Sequence, residues 1–396
     1  MANIEERGEN TYRFTVSLGR GADGKYKRRR KTHTVQQKLT PKRLEEHLNH
    51  EYLKFKQEVE SGAYIAPHKM NFSAFTSEWR SKFADSGLSD TTLLGHISRL
   101  DNHIFPIIGH LDIDRINSMI LLDLLSNLTR KDGKEGPLSN HVKEDVYKTL
   151  NSIFKYATQW KVIPSNPMEG VNKPKNISEK EKELNVYEPE EVIALFEAAQ
   201  NELFHWRVFL SLAITAGLRR GENLGLEWSN VDFENKRIEI KQTIVKGRNG
   251  PLIKPPKTKT SRRLVTLPSS VVEELRLFRL HWVKERLKMG DGWKEHDREW
   301  LFCNEDGTHF YPTTPTTWWR RFTERNSVRY IRLHDLRHTS VTLLIAQQVH
   351  MKVISERLGH SKINVTMDQY GHVLKSAEQS AGDTFEELFK PRGQIK

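Results

Sequence analysis

Three short runs stand in one order in the second half of the chain. They are Thr215-Ala216-Gly217-Leu218-Arg219-Arg220-Gly221-Glu222, His334-Asp335-Leu336-Arg337-His338, and Leu358-Gly359-His360, with Tyr370 ten residues beyond the last. Two arginines, two or three histidines and a tyrosine, with no acidic metal cluster between them, are a set for phosphodiester chemistry without a metal ion. Breaking such a bond requires neutralising the charge on the nonbridging oxygens, and guanidinium suits this because its planar fork makes paired hydrogen bonds and never deprotonates. On a helix, residues 334, 337 and 338 share a face, so one surface presents imidazole and guanidinium to one phosphate. Histidines four apart also suit zinc, but a zinc protease places glutamate directly after the first histidine, where Asp335 stands here. Arg337 between the two ligands would also repel the cation, so no metal is expected. The Tyr370 phenol, with an ordinary pKa of ~10, needs a base or a nearby cation to become a nucleophile, and His334 or His360 can accept its proton. Taken singly, Arg219 with Glu222 is a common exposed helical ion pair, His338 suits helix packing as well as chemistry, and a lone tyrosine is usually a packing residue.

Taken together, in this order and spacing, the runs resemble the tyrosine recombinases, and the chain resembles an integrase of the phage or conjugative-transposon branch, lambda-like in layout. The resemblance carries the catalytic arginines to Arg219, in preference to its neighbour Arg220, and to Arg337. It carries the histidines to His334 and His360, and the nucleophile to Tyr370, where Gly371-His372-Val373 continues the match. It also implies a lysine general acid on a hairpin between the two arginine motifs. Pro255-Pro256-Lys257-Thr258-Lys259 offers Lys257 in the usual position, with Lys259 as the alternative; the loop ahead of it is longer and richer in proline than in compact family members. The implied reaction is site-specific recombination of a mobile element. Tyr370 attacks the scissile phosphate, a 3′-phosphotyrosyl bond forms, and the freed 5′-hydroxyl attacks the partner strand, passing through a Holliday junction. The implied partners are double-stranded attachment-site DNA, a homotetramer on that DNA, an excisionase and a host DNA-bending protein. No cofactor is implied, and no Gly-x-x-x-x-Gly-Lys-Ser/Thr loop suggests nucleotide use. Two competing readings are a type IB topoisomerase-like relaxing enzyme, which uses the same tyrosyl intermediate without strand exchange, and a non-catalytic DNA-binding regulator.

Composition bounds these readings. A length of 396 residues with 36% hydrophobic content suffices for two or three domains. The net charge of +12 favours a polyanionic partner. Arg20, Lys25, Lys27, Arg28, Arg29, Arg30 and Lys31 crowd into one stretch whose single acid is Asp23, a local patch suited to DNA contact. The single cysteine, Cys303, excludes an intrachain disulfide and reads as a small core residue. No run approaches the ~20 apolar residues of a membrane span, and the first residues lack an apolar signal region. A cytoplasmic protein with no membrane partner is expected.

The elements that must position these groups follow from periodicity. Tyr12, Phe14, Val16 and Leu18 alternate along a first strand that turns at residues 19–24 into a basic second strand. Thr40 and Pro41 open a helix striped by Leu44, Leu48, Tyr52, Phe55 and Val59. Residues 72–83, 91–104, 114–128 and 141–159 read as helices. Beyond residue 187 come an amphipathic helix (188–200), a buried one (206–215), strands at 237–245 and 263–267 around a basic loop (246–262), and helices at 269–288, 316–326, 333–348 and 351–358. The expected fold class is multidomain α+β. A small N-terminal sheet-plus-helix domain (1–65) resembles an arm-type DNA-binding domain, and an all-α block (66–171) occupies the position of a core-binding domain. A linker (172–186) leads to a mainly α catalytic domain with a small antiparallel sheet (187–374). The tail 375–396 carries Phe385, Leu388 and Phe389 on one helical face, suited to docking on a neighbouring protomer or on its own domain.

Overall fold

A computed structural model describes residues 3–20, 26–37, 39–60, 70–130, 138–174, 184–256, 261–360, 362–364, 366–367 and 370. The chain divides into two compact units, Met1–Glu179 and Lys180–Lys396. Lys25, Lys257, Lys259 and the tail 375–396 lie outside the described residues, as does the side chain of Lys27.

In the first unit, β1 (Ile4–Gly8), β2 (Thr11–Arg20) and β3 (Tyr26–Thr34) form an antiparallel sheet in that order. Two strands were expected; the first, Ile4–Gly8, has no apolar alternation and is held by its ladder to β2. Helix α1 (Pro41–Glu60) lays Leu48, Phe55 and Val59 against Phe14 and Val16. Directly paired residues of an antiparallel ladder share a face. Lys31, opposite Phe14, and Arg29, opposite Val16, therefore belong to the helix side, whereas Arg28 and Arg30, opposite Ser17 and Thr15, belong to the other. The basic run is thus split by the pleat. Lys31 lies over the Phe55 ring and 3.8 Å from Glu58, and the Arg20 guanidinium lies over Tyr26.

The remainder of this unit is helical: α2 (Phe72–Trp79), α3 (Asp85–Gly87), α4 (Asp90–Arg99), α5 (Phe105–Ile108), α6 (Ser118–Ser126) and α7 (Asn140–Gln159). Asn71, Asn117 and Ser139 each accept a backbone N–H from the first turn of α2, α6 and α7, which sets where those helices start. The helices expected over 72–83 and 91–104 each run into a π-helical turn, at Arg80–Ala84 and Leu100–Ile104. The α7 stripe Val146, Leu150, Ile153, Phe154 and Ala157 is fully buried among Phe72, Trp79, Leu100 and Leu121.

In the second unit, α8 (Pro189–Ala199), α9 (Phe204–Thr215) and the short α10 (Arg220–Leu224) precede a strand region. The single strand expected over 237–245 is two. β5 (Arg237–Ile240) pairs with β4 (Val231–Asp232) and β8 (Arg263–Thr266), while β6 (Thr243–Gly247) forms a separate hairpin with β7 (Gly250–Lys254). The basic loop expected over 246–262 therefore contains a strand. Helices α11 (Ser269–Met289), α12 (Thr314–Arg325), α13 (Asp335–Ala346) and α14 (Met351–Leu358) complete the unit. The apolar α9 is buried nearly all round, and Trp206 stacks on Trp318 of α12 at 4.5 Å between ring centroids. Tyr370 belongs to a satellite cluster with Val341, Ile345, Ile354 and Leu358. No described helix is long and apolar enough to cross a membrane.

Candidate active site

The chain leaves the buried α9 through Gly217, whose φ of +61° an L side chain rarely adopts; a Cβ there would also sit 3.2 Å from Leu358 and 3.3 Å from Ser340. This turn aims the Gly217 carbonyl into the unit and sets Arg219 just ahead of α10. Arg219 is partly exposed and donates to Glu222, Nη1 to Oε1 at 2.7 Å and backbone N–H to Oε2 at 3.1 Å. The Glu222 carboxylate is buried and also accepts from Arg263 Nη2 at 2.9 Å. Burial alone would push its pKa up, but the Arg263 hydrogen bond and charge, followed by the charge of Arg219, hold it at about 2.

Arg337, on α13, is only 3% exposed. It donates Nη1 to the Gly217 carbonyl and Nη2 to the Leu358 carbonyl, both at 2.7 Å, and stands 4.0 Å from Glu222. Burial, and then the charge of Arg219, push its pKa down, but those acceptors keep it a cation. Gly359 ends α14 in the left-handed region at φ +68°, a helix end that frees the Leu358 carbonyl for Arg337 and turns His360 back towards it. His360 Nε2 lies 3.0 Å from Arg337 Nη2 and Nδ1 2.8 Å from Thr366 Oγ1. Guanidinium only donates, so Nε2 is the acceptor and Nδ1 carries the proton. Burial, with Arg337 next, takes His360 down to about 4, which keeps the ring neutral at pH 7.

His334 caps the start of α13 with its side chain exposed. Its pKa is also lowered, by partial desolvation and then by Arg337. The helix face expected to present 334, 337 and 338 together divides its work. Arg337 joins the Arg219 and His360 group, whereas His338 turns to Tyr370, its Nδ1 lying 2.5 Å from the phenol oxygen. Tyr370 is 1% exposed, and burial raises its pKa to about 12 although Arg337 opposes this. Arg220 donates to Thr316 on α12 and stands apart from Glu222's cluster.

Three guanidiniums around one carboxylate leave a cationic cluster beside three neutral imidazoles, and such a cluster attracts an anion without a bound metal. Among the described residues, no three His, Cys, Asp or Glu side chains converge as a metal site needs. Sequence reasoning passed over Arg263. Besides Glu222, it donates Nε to the Arg357 carbonyl at 2.6 Å and Nη1 to the Ser261 carbonyl at 3.1 Å, tying β8 to α14. The signal was available: period-two alternation places Arg263 on the same buried face as Val265, an unusual place for a cation.

Residues 185–377 match the phage integrase family, and residues 72–173 match the phage integrase central domain. A protein named tyrosine recombinase XerC-like, from Caldanaerobacter subterraneus subsp. tengcongensis, is 27% identical over 402 residues, 98% of each chain. The ICEBs1 integrase of Bacillus subtilis strain 168 is 28% identical over 306 residues, covering 73% of this chain and 76% of that one. Among solved structures, the Tn1549 transposon integrase in complex with a circular intermediate DNA superposes with a TM-score of 0.64 at 18% identity, over 80% of this chain and 99% of that one. A lambda integrase dimer bound to a core site gives 0.56 at 15% identity, over 93% and 94%. With both integrase regions matched and the fold shared, the chain belongs to the phage integrase family of tyrosine recombinases, enzymes that cleave and rejoin DNA.

Proposed function

We propose that this recombinase integrates a mobile element through a 3′-phosphotyrosyl bond formed by Tyr370, with Arg219 and Arg337 clamping the scissile phosphate. The observation that carries the reading is the convergence, from segments more than a hundred residues apart, of Arg337, Glu222-anchored Arg219 and His360 in one cationic cluster. In this reading His334 donates a hydrogen bond to the phosphate, and His360 does so once bound DNA draws its Nδ1–H away from Thr366. Lys257, or Lys259 beside it, protonates the leaving 5′ oxygen. Oriented donors of this kind stabilise the pentacoordinate phosphorus and take the place of metal ions.

The lambda integrase has been seen as a tetramer bound to a Holliday junction, and a homotetramer on attachment-site DNA is the corresponding assembly for this chain. Residues 1–65 supply a second, arm-type contact, with Arg28 and Arg30 on the sheet face away from α1 reaching phosphates or base edges and Arg20 and Arg29 adding positive charge to the domain. The test uses nicked duplexes carrying core sequences recovered from DNA flanking the gene, in excess EDTA. Wild type accumulates a covalent adduct that maps to Tyr370 by mass spectrometry, and Tyr370→Phe gives none while still binding. An adduct with Tyr370→Phe, or cleavage restored only by added metal, refutes the assignment. Relaxation of plasmids lacking those sequences at an equal rate would favour the topoisomerase-like reading.

A further inference from the structure

The Tyr370 proton must go to a base, and the geometry points to His338 as the group that takes it. We infer that His338 is the general base of the cleavage step, backed by Asp335 in a Tyr370–His338–Asp335 relay. The inference rests on Tyr370 being the nucleophile, and its test separates the two.

His338 Nδ1 faces the phenol oxygen at 2.5 Å, and on the far side of the same ring Nε2 faces Asp335 Oδ1 at 3.9 Å. A carboxylate on the Nε2 side favours the tautomer with its proton there, so Nδ1 presents its lone pair to the Tyr370 O–H. Asp335 is itself held in place by Arg332. Its Oδ2 accepts from Arg332 Nε at 2.9 Å and from the Arg332 backbone N–H at 3.0 Å, and its Oδ1 accepts from Arg332 Nη2 at 2.8 Å. Both His338 and Asp335 are buried, with the phenol at one edge of the ring and the carboxylate facing the other.

The two other histidines of the site are less suited. His360 Nε2 is already committed to Arg337 and its Nδ1 to Thr366. His334 meets the His338 ring edge to face at 5.2 Å and sits at the exposed start of α13. Among the described residues, the charged and titratable groups seen to bear on His338 include His334, Asp335, Arg332, Arg337 and Tyr370. Burial, followed by His334, lowers His338 to about 4, so the ring is neutral and able to accept a proton at neutral pH. Burial raises Tyr370 to about 12, so without a phosphate in place the proton stays on the phenol. Transfer therefore accompanies attack. The O–H proton passes to His338 Nδ1 as the phenol oxygen bonds to phosphorus and the bond to the 5′ oxygen breaks. The imidazolium so formed is paired with Asp335, and it returns the proton to Tyr370 when a 5′-hydroxyl reverses the reaction.

The test is single-turnover adduct formation by the full chain on a nicked core duplex whose scissile 5′ oxygen is replaced by sulfur. That leaving group needs no proton, so only the nucleophile's step is read. Asn in place of His338 can still accept a hydrogen bond near the Nδ1 position but cannot take a proton. Between pH 7.5 and 9 the wild-type rate should be flat. H338N should be slower at pH 7.5 by about 10²- to 10⁴-fold, the usual worth of a general base. The gap should narrow about tenfold per pH unit as hydroxide replaces the base. His338→Gln, read by the same criterion, serves if H338N loses affinity for the duplex. A variant within threefold of wild type, a variant deficit equal at every pH, or a variant faster than wild type would each overturn the inference. So would a wild-type rate that climbs tenfold per unit over this range, whatever the variants do. An adduct in Tyr370→Phe would instead remove the nucleophile assignment beneath it.

Discussion

Glu222→Gln is the sharpest probe of how the proposed clamp is held. Glu222 is about 5% exposed and lies between Arg219, Arg263 and Arg337. Its pKa stands at about 2 against an ordinary 4.5, which corresponds to about 3 kcal/mol. Removing one partner of a buried ion pair costs about 3–5 kcal/mol for an independent reason, since the other charge is left uncompensated. The sign follows from linkage: a depressed folded pKa means the stabilisation is complete above 4.5 and is lost as pH falls through the folded value. Glu222→Gln should therefore unfold about 3 kcal/mol more easily than wild type at pH 7, and the difference should shrink to roughly half of that near pH 3. Urea titration followed by tryptophan fluorescence suits this, because all tryptophans except Trp79 and Trp160 lie beyond residue 180. Adduct formation should fall as well, since Gln keeps one acceptor oxygen where Glu222 has two and Arg219 loses either its side-chain or its backbone anchor. Stability within about 0.5 kcal/mol of wild type at pH 7, the range of an ordinary surface change, would refute the reasoning. So would a deficit that does not diminish on acidification.

Arg337→Lys and Arg219→Lys keep a charge but lose the fork, and each should slow single-turnover cleavage by at least ~10²-fold, with duplex affinity measured alongside. Gly359→Ala forces an alanine to φ +68° with its Cβ 3.0 Å from Arg263 Nη1, and should cost about 1–2 kcal/mol in the same urea titration. Deleting residues 1–65 should abolish arm-site binding and flatten its salt dependence while core-site cleavage survives, because every proposed catalytic residue lies beyond residue 187. Equal losses in arm binding and core cleavage would show that this region serves folding or core contact instead.

The residue types, their order and their local geometry were legible without a structure. Gly359 stands where α14 ends in a left-handed turn, α14 begins and ends where its pattern says, and the stripe on α7 is core throughout. These are short-range matters, settled by periodicity and by what a residue's own backbone tolerates. Strand pairing was less legible. Ile4–Gly8 becomes a strand only because β2 offers it a ladder, and the basic run on β3 divides between two faces only once register is set. The partners of the proposed catalytic side chains were decided by tertiary structure alone. Arg263 reaches Glu222 across 41 residues, Arg337 reaches the Gly217 carbonyl across 120, and Tyr370 meets His338 across 32. A spacing of four places His334 and His338 on one helical face, but it cannot say that one ring opens to solvent while the other is enclosed beside a phenol. That difference arises from packing: once α14 and residue 370 cover one end of α13, the buried hydroxyl needs an acceptor, and among the described residues His338 supplies it.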